Sequence, residues 1–282
     1  MGHSVCLDTY GSPSEEEFLA GIPVHGEGSV TPYAITNEAS RITLTGVLPL
    51  AQLILTRRIH LADNGVLIHF EESVSNVSYS DRPIAWTQHV VIGPPFLELG
   101  KTEFRIPVTR SKVFEGDFAN GRGFQKPGAE FDGLLCPRID AGFTDFRVFP
   151  NESASGGFTT HLLDPSENRA FFVSWSPTAK LAFGYAWMRQ DFPWLCRWEE
   201  NHLRSDPPWN GKTLACGLEF GVSPTLGSRR KMVTRGTQFG VPCVRWVPAR
   251  SSIKVKYCAF ICPLERIPER VSWDGFDSIV FA

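Results

Sequence analysis

One glutamate stands out by its surroundings. Glu219 interrupts Leu214-Ala215-Cys216-Gly217-Leu218-Glu219-Phe220-Gly221-Val222, a stretch that is otherwise apolar. A carboxylate facing a core must be paired, neutralised or put to use. Facing solvent, it would be an ordinary strand residue. In a desolvated cleft its pKa rises, which suits a general base. Histidine is the natural partner for such a group, and the chain has seven. His25 lies in Gly21-Ile22-Pro23-Val24-His25-Gly26-Glu27-Gly28, where glycines permit close backbone approach to a ligand. His89 lies in Trp86-Thr87-Gln88-His89-Val90, and His202 closes Trp198-Glu199-Glu200-Asn201-His202. Each histidine also fits a structural, hydrogen-bonded role. Asp145, in Thr144-Asp145-Phe146-Arg147, fits a strand-edge charge. Trp86, Trp187, Trp194, Trp198 and Trp209 could offer faces to a sugar ring, although core packing suits most of them.

Other chemistries lack their residues. There is no GxxxxGK[ST], no GxGxxG opening a helix, no HExxH and no GxSxG. Glu199 and Glu200 are adjacent, so on a strand they point to opposite faces and make no glycosidase pair. The seven cysteines form no CxxC, so neither structural zinc nor another metal is expected, and no cofactor is implied. Cys216 and Cys258 read as small core hydrophobes, and a reduced, cytoplasmic setting fits best. The net charge of -2 argues against a general nucleic-acid binder. No apolar run is long enough to span a bilayer, and Met1 to Gly11 does not read as a signal peptide. Arg229-Arg230-Lys231 reads as a solvated turn.

The elements that must position these groups read as strands. Gln52 to Leu61 and Gly65 to Val74 alternate apolar and polar residues. Apolar runs recur at Arg147-Phe149, Ala170-Ser174, Leu181-Met188, Thr213-Phe220 and Ser252-Ile261. The 25 glycines and 21 prolines supply frequent turns, and no long helical period is present. Ser14 to Leu19 predicts one short helix with Ser14 as cap and Glu17 three residues on. With 42% hydrophobic residues in 282, and no linker or repeat, the pattern predicts an all-β sandwich or barrel.

Taken in order, these segments resemble the aldose 1-epimerase, or galactose mutarotase-like, family. Glu71-Glu72-Ser73-Val74-Ser75-Asn76, Arg82-Pro83 and Trp86-Thr87-Gln88-His89 are similar to the family's strand-turn-strand leading to its catalytic histidine. Gly217-Leu218-Glu219-Phe220 resembles the strand of its catalytic glutamate, and Val24-His25-Gly26 its L-H-G-G segment. The resemblance runs from about Gly21 to Phe260. Gln88 stands where the family motif has Asn, and only 24 residues precede His25, where typical members carry more strands and a substrate-contacting arginine.

The resemblance implies a galactose mutarotase-like β-supersandwich of antiparallel sheets with few short helices. It implies one domain over 1–282, starting after the family's first strands. It assigns His89 as the acid that protonates a ring oxygen and Glu219 as the base that deprotonates the anomeric hydroxyl. His25, Asp145, Trp86, Gln88, Trp198 and His202 would bind the substrate. Mutarotation of a sugar or sugar derivative is the implied activity. A noncatalytic carbohydrate-binding protein, or an isomerase or cyclase acting on a non-sugar metabolite, would use the same cleft. The expected ligand is a small molecule, most simply a carbohydrate, with neither nucleic acid nor membrane as partner. A shortened sheet would leave strand edges for a second copy to cover.

Overall fold

The period-2 alternation of the sequence becomes two antiparallel sheets packed face to face. A computed structural model describes residues 2–63 and 65–282. The first sheet runs in the order Gly2–Asp8, Arg82–Ile92, Leu214–Gly221, Trp194–Asn201, Ser155–Leu163, Val108–Val113 and Glu130–Asp132, and Arg245–Val247 also pairs with Arg82–Ile92. The second runs Tyr33–Glu38, Arg41–Leu48, Leu53–Leu61, Leu67–Asn76, Ser252–Pro263, Leu181–Met188, Arg169–Ser176 and Glu103–Arg105. The fold is all-β, as expected, with two short α-helices among the described residues.

The main core fills the space between the sheets. Leu7, Trp86, Val90, Leu195, Leu218 and Phe220 come from the first sheet. They meet Leu55, Phe70, Val74, Phe172, Trp187 and Tyr257 from the second. Trp187 stacks on Phe220 with ring centroids 4.1 Å apart. The second sheet is also covered on its outer face, where Phe171, Val173, Ala182 and Phe260 pack under Val271 and Trp273. Burial on both faces explains why Ala170-Ser174 and Leu181-Met188 are continuously apolar rather than alternating.

A polar network crosses the main core. Buried Glu72 accepts from Arg57 Nε at 2.5 Å, Tyr257 Oη at 2.6 Å, Gln88 Nε2 at 2.7 Å and Trp86 Nε1 at 3.2 Å. Saturating the carboxylate in this way is what makes its burial tolerable.

Two elements depart from the sequence reading. Arg147-Phe149 is not a strand; only Val148 makes an isolated bridge, to Glu103. Arg229-Arg230-Lys231 is not a turn. It opens the helix Arg229–Arg235, whose cap Ser228 accepts from the Lys231 N–H. Buried Asp8 pairs with both Arg82 and Arg229, fastening this helix to the first sheet. The helix Glu15–Leu19 forms as expected, with both hydrogen bonds of the Ser14–Glu17 capping box.

Candidate active site

Strand alternation decides what each residue of Leu214–Gly221 faces. Cys216, Leu218 and Phe220 enter the core between the sheets. Ala215 and Glu219 therefore point the other way, into a cavity of about 980 Å³ on the outer face of the first sheet. The neighbouring strand is in register through Gly217 opposite Val91 and Phe220 opposite Gln88, which brings His89 beside Glu219. His89 Nε2 lies 3.1 Å from Glu219 Oε1. The other carboxylate oxygen, Oε2, accepts a short hydrogen bond from the Tyr10 hydroxyl. Burial pushes the Glu219 pKa above the ordinary carboxylate range, while His89 and the Tyr10 bond pull against that rise. Burial also raises the Tyr10 phenol well above its usual value.

Gly217 makes the room this arrangement needs. A Cβ there would meet Glu219 Oε1 at 2.6 Å and Trp198 Cβ at 3.1 Å.

His25 reaches the cavity from a loop pressed against the first strand. Its φ is 66° and that of Gly26 is 74°, and a Cβ on Gly26 would lie 2.3 Å from the Leu7 carbonyl oxygen. A glycine is required there for both reasons. The Gly11 N–H donates to His25 Nδ1 at 3.2 Å. The neutral ring therefore carries its hydrogen on Nε2. Burial, with the nearby His89, lowers the His25 pKa to about 4, so the ring is neutral at physiological pH. The His25 and His89 rings meet edge to face at 5.3 Å.

Of the residues singled out in the sequence, His25, His89, Trp198, Trp209 and Glu219 line this cavity together. Four others that the resemblance assigned to the site do not. Trp86 and Gln88 share a strand with His89 but lie at positions of opposite parity, so both face the core and join the Glu72 network. Asp145 sits on the hairpin of Leu135–Pro137 and Phe143–Asp145, paired with Arg147 at 2.6 Å. That guanidinium holds its carboxyl below the usual range. His202 is exposed at a strand end, with Nδ1 3.2 Å from the Gly211 carbonyl oxygen.

The sequence reading missed most of the wall. Phe114, Phe118 and Phe158 form a triad with centroids 5.9 to 6.0 Å apart, and Trp198 lies 5.9 Å from Trp209. Arg204 and Lys231 also line the cavity. Buried Glu200 accepts the N–H groups of Leu203 and Arg204, both at 2.9 Å, which fixes the turn that carries Arg204. The alternation of Trp198 and Glu200 was a usable signal for the wall. The loop residues and Tyr10 follow no period, so nothing in the chain announced them.

Among the described residues no group of three or more His, Cys, Asp or Glu side chains is placed to hold a metal ion.

No known protein-family model and no curated protein matches the sequence. Solved structures do match. The chain has the galactose mutarotase-like fold, so the resemblance seen in the sequence holds at the level of the fold. A candidate aldose 1-epimerase from Klebsiella pneumoniae superposes with a TM-score of 0.67 at 14% identity, over 93% of this chain and 63% of that one. The chain thus spans less than two thirds of that protein. A galactose mutarotase related enzyme from Lactobacillus acidophilus gives 0.60 at 11% identity, over 93% and 84%. A galactose mutarotase-like protein from Clostridium acetobutylicum gives 0.60 at 12% identity, over 93% and 80%.

Proposed function

We propose that the cavity is an acid–base isomerase site of the aldose 1-epimerase type, acting on a cyclic hemiacetal. The observation that carries this reading is the contact of Glu219 Oε1 with His89 Nε2 at 3.1 Å on the cavity wall. Opening a cyclic hemiacetal removes a proton from the anomeric oxygen and delivers one to the ring oxygen. Glu219, as carboxylate, takes the first; His89, as imidazolium, supplies the second as the carbon–ring oxygen bond breaks. The pair passes from Glu⁻/HisH⁺ to GluH/His, so its total charge is constant through the step. Rotation about the adjacent carbon–carbon bond presents the other face of the new carbonyl, and the same transfers in reverse close the ring. Tyr10 steadies the carboxylate through its second oxygen, and His25 offers an Nε2–H to a substrate oxygen.

Anomer interconversion followed by NMR exchange tests this on a panel of cyclic hemiacetals that runs from D-glucose and D-galactose to hemiacetals carried on anionic aryl groups. The expected result is acceleration by the wild-type protein, with Glu219→Gln and His89→Asn each losing about 10²- to 10⁴-fold. A folded wild-type protein that accelerates nothing on the panel, or variants as active as the parent, would overturn the assignment. The former outcome would favour a noncatalytic carbohydrate-binding role.

A further inference from the structure

The walls of the cavity define a narrower ligand than the proton-transfer pair does. Five aromatic rings, those of Phe114, Phe118, Phe158, Trp198 and Trp209, line it together with Val24, Val91 and Leu226. Besides His25, His89, Glu219, Arg204 and Lys231, the polar side chains among the described residues that line it are the hydroxyls of Ser12, Ser14, Thr213 and Ser228, with no Asp, Asn or Gln. Its volume of about 980 Å³ lies at the upper end of the roughly 300–1,000 Å³ found for drug-sized ligands. A mainly apolar pocket with a few placed polar groups binds a flat apolar body better than it binds a polyol.

The charges on the wall are cationic apart from Glu219. The Arg204 guanidinium lies 4.8 Å from the Trp209 ring centroid and 5.5 Å from that of Phe118. It thus bridges the tryptophan pair and the phenylalanine triad. Glu200 Oε2 lies 3.4 Å from its Nε as an ion pair, and among the described residues its terminal nitrogens make no hydrogen bond. Lys231 Nζ stands 6.0 Å from the Phe114 centroid and has no ion pair among the described residues. Guanidinium stacked on an aromatic face keeps its N–H edge free for an anion.

We infer that the cavity takes an amphipathic anion: a flat, apolar, aryl or fused-ring body bearing a carboxylate, sulfonate or phosphate that meets Arg204 and Lys231. This rests on the acid–base reading above and narrows its substrate to a hemiacetal carried on such a body. A plain aldose leaves Lys231 without a partner, the free edge of Arg204 unused and most of the aromatic wall unfilled.

Two dyes separate the contributions. 8-Anilinonaphthalene-1-sulfonate and N-phenyl-1-naphthylamine share their ring systems, and only the first carries an anion. Fluorescence titration of the folded protein is expected to give the sulfonate about tenfold the affinity of the neutral dye, the scale of one charge-assisted contact. In the Arg204→Gln/Lys231→Gln double variant the two affinities converge. Thr213→Trp, which fills the cavity at a half-buried wall position, loses both dyes. Near-ultraviolet circular dichroism verifies that each variant is folded. Should the double variant fail that check, Lys231→Gln alone, at an exposed position, is expected to narrow the preference about threefold. Equal affinity for the two dyes in the wild type, or sulfonate binding unchanged by the cation and cavity substitutions, would overturn the inference. A protein inactive on hemiacetals that still prefers the sulfonate retains this inference and loses the reaction; an active protein without the preference does the reverse.

Discussion

At the scale of the residue, the proposed reaction turns on how Glu219 is kept usable while buried. Desolvation favours its protonated form, and a protonated carboxyl is no base. His89 and Tyr10 counter this from its two oxygens. Removing the Tyr10 hydroxyl therefore raises the carboxyl pKa further, because the bond it deletes favours the ionised form. Tyr10→Phe is expected to move the acid limb of the pH–rate profile up by about one to two pH units. That follows from the worth of a hydrogen bond to a charged group and 1.36 kcal/mol per unit. A limb that stays in place would mean that Glu219 is not the group titrating there. Glu219 was legible in the sequence because a lone carboxylate in an apolar strand carries its own signal. Tyr10 was not, since a phenol beside Gly11 matches no period, and its contact with Glu219 spans 209 positions of chain.

At the scale of the element, strand parity decides what is site and what is core. The run Trp86-Thr87-Gln88-His89 reads as one motif, yet a strand cannot aim neighbouring residues at the same target. His89 reaches the cavity; Trp86 and Gln88 brace the strand from behind through Glu72. Gly217 illustrates the same geometry from the side of space. Alanine normally suits a strand interior better than glycine. Here the added methyl would press on Glu219 Oε1 at 2.6 Å. Gly217→Ala is expected to reduce kcat by at least about tenfold, since a displacement near 1 Å can cost a hundredfold. The melting temperature should change little. Unchanged turnover in that variant would show that the carboxylate needs no such clearance. Helices were legible only through their caps. The Ser14–Glu17 box announced Glu15–Leu19, whereas Arg229–Arg235 lacked the matching acidic residue and looked like a turn.

At the scale of the whole molecule, burial sets a pH limit on stability. His161 is fully buried, with Nδ1 2.7 Å from Ser111 Oγ and Nε2 2.9 Å from Thr159 Oγ1. Ser111 gives its own hydrogen to the Gly133 carbonyl, so its oxygen accepts from Nδ1, and Nε2 accepts from Thr159. The neutral ring is satisfied on both sides. Burial, reinforced by Arg197, lowers the His161 pKa to about 3. His3 and His25 are likewise lowered to about 4, chiefly by burial. A histidine depressed in the folded state takes up its proton on unfolding, so its stability contribution is present above about pH 6.5 and is lost as pH falls through the folded value. Urea unfolding should therefore show stability declining below about pH 6.5. In His161→Asn the slope between about pH 6 and 4 should be shallower by about 1.4 kcal/mol per pH unit, one proton's worth. Parallel slopes in variant and parent would mean that His161 does not take up that proton.

The sequence by itself determined the all-β class, the alternation of its strands, and the carboxylate and imidazole that meet on the cavity wall, Glu219 and His89. These follow from local pattern: period 2 reports a half-buried strand, and a carboxylate among apolar neighbours reports a cost that structure must meet. Only the tertiary structure decided which residues surround them. Phe114, Phe118, Trp209, Arg204 and Lys231 come from loops and one short helix, and meet at the cavity because separate strands of one sheet carry them there. Burial of Asp8 against Arg82 and Arg229, and of Glu200 against the Arg204 turn, fixes them in place. Such contacts join residues distant in the chain, so no local period records them, and the character of the wall exists only once the sheet has formed.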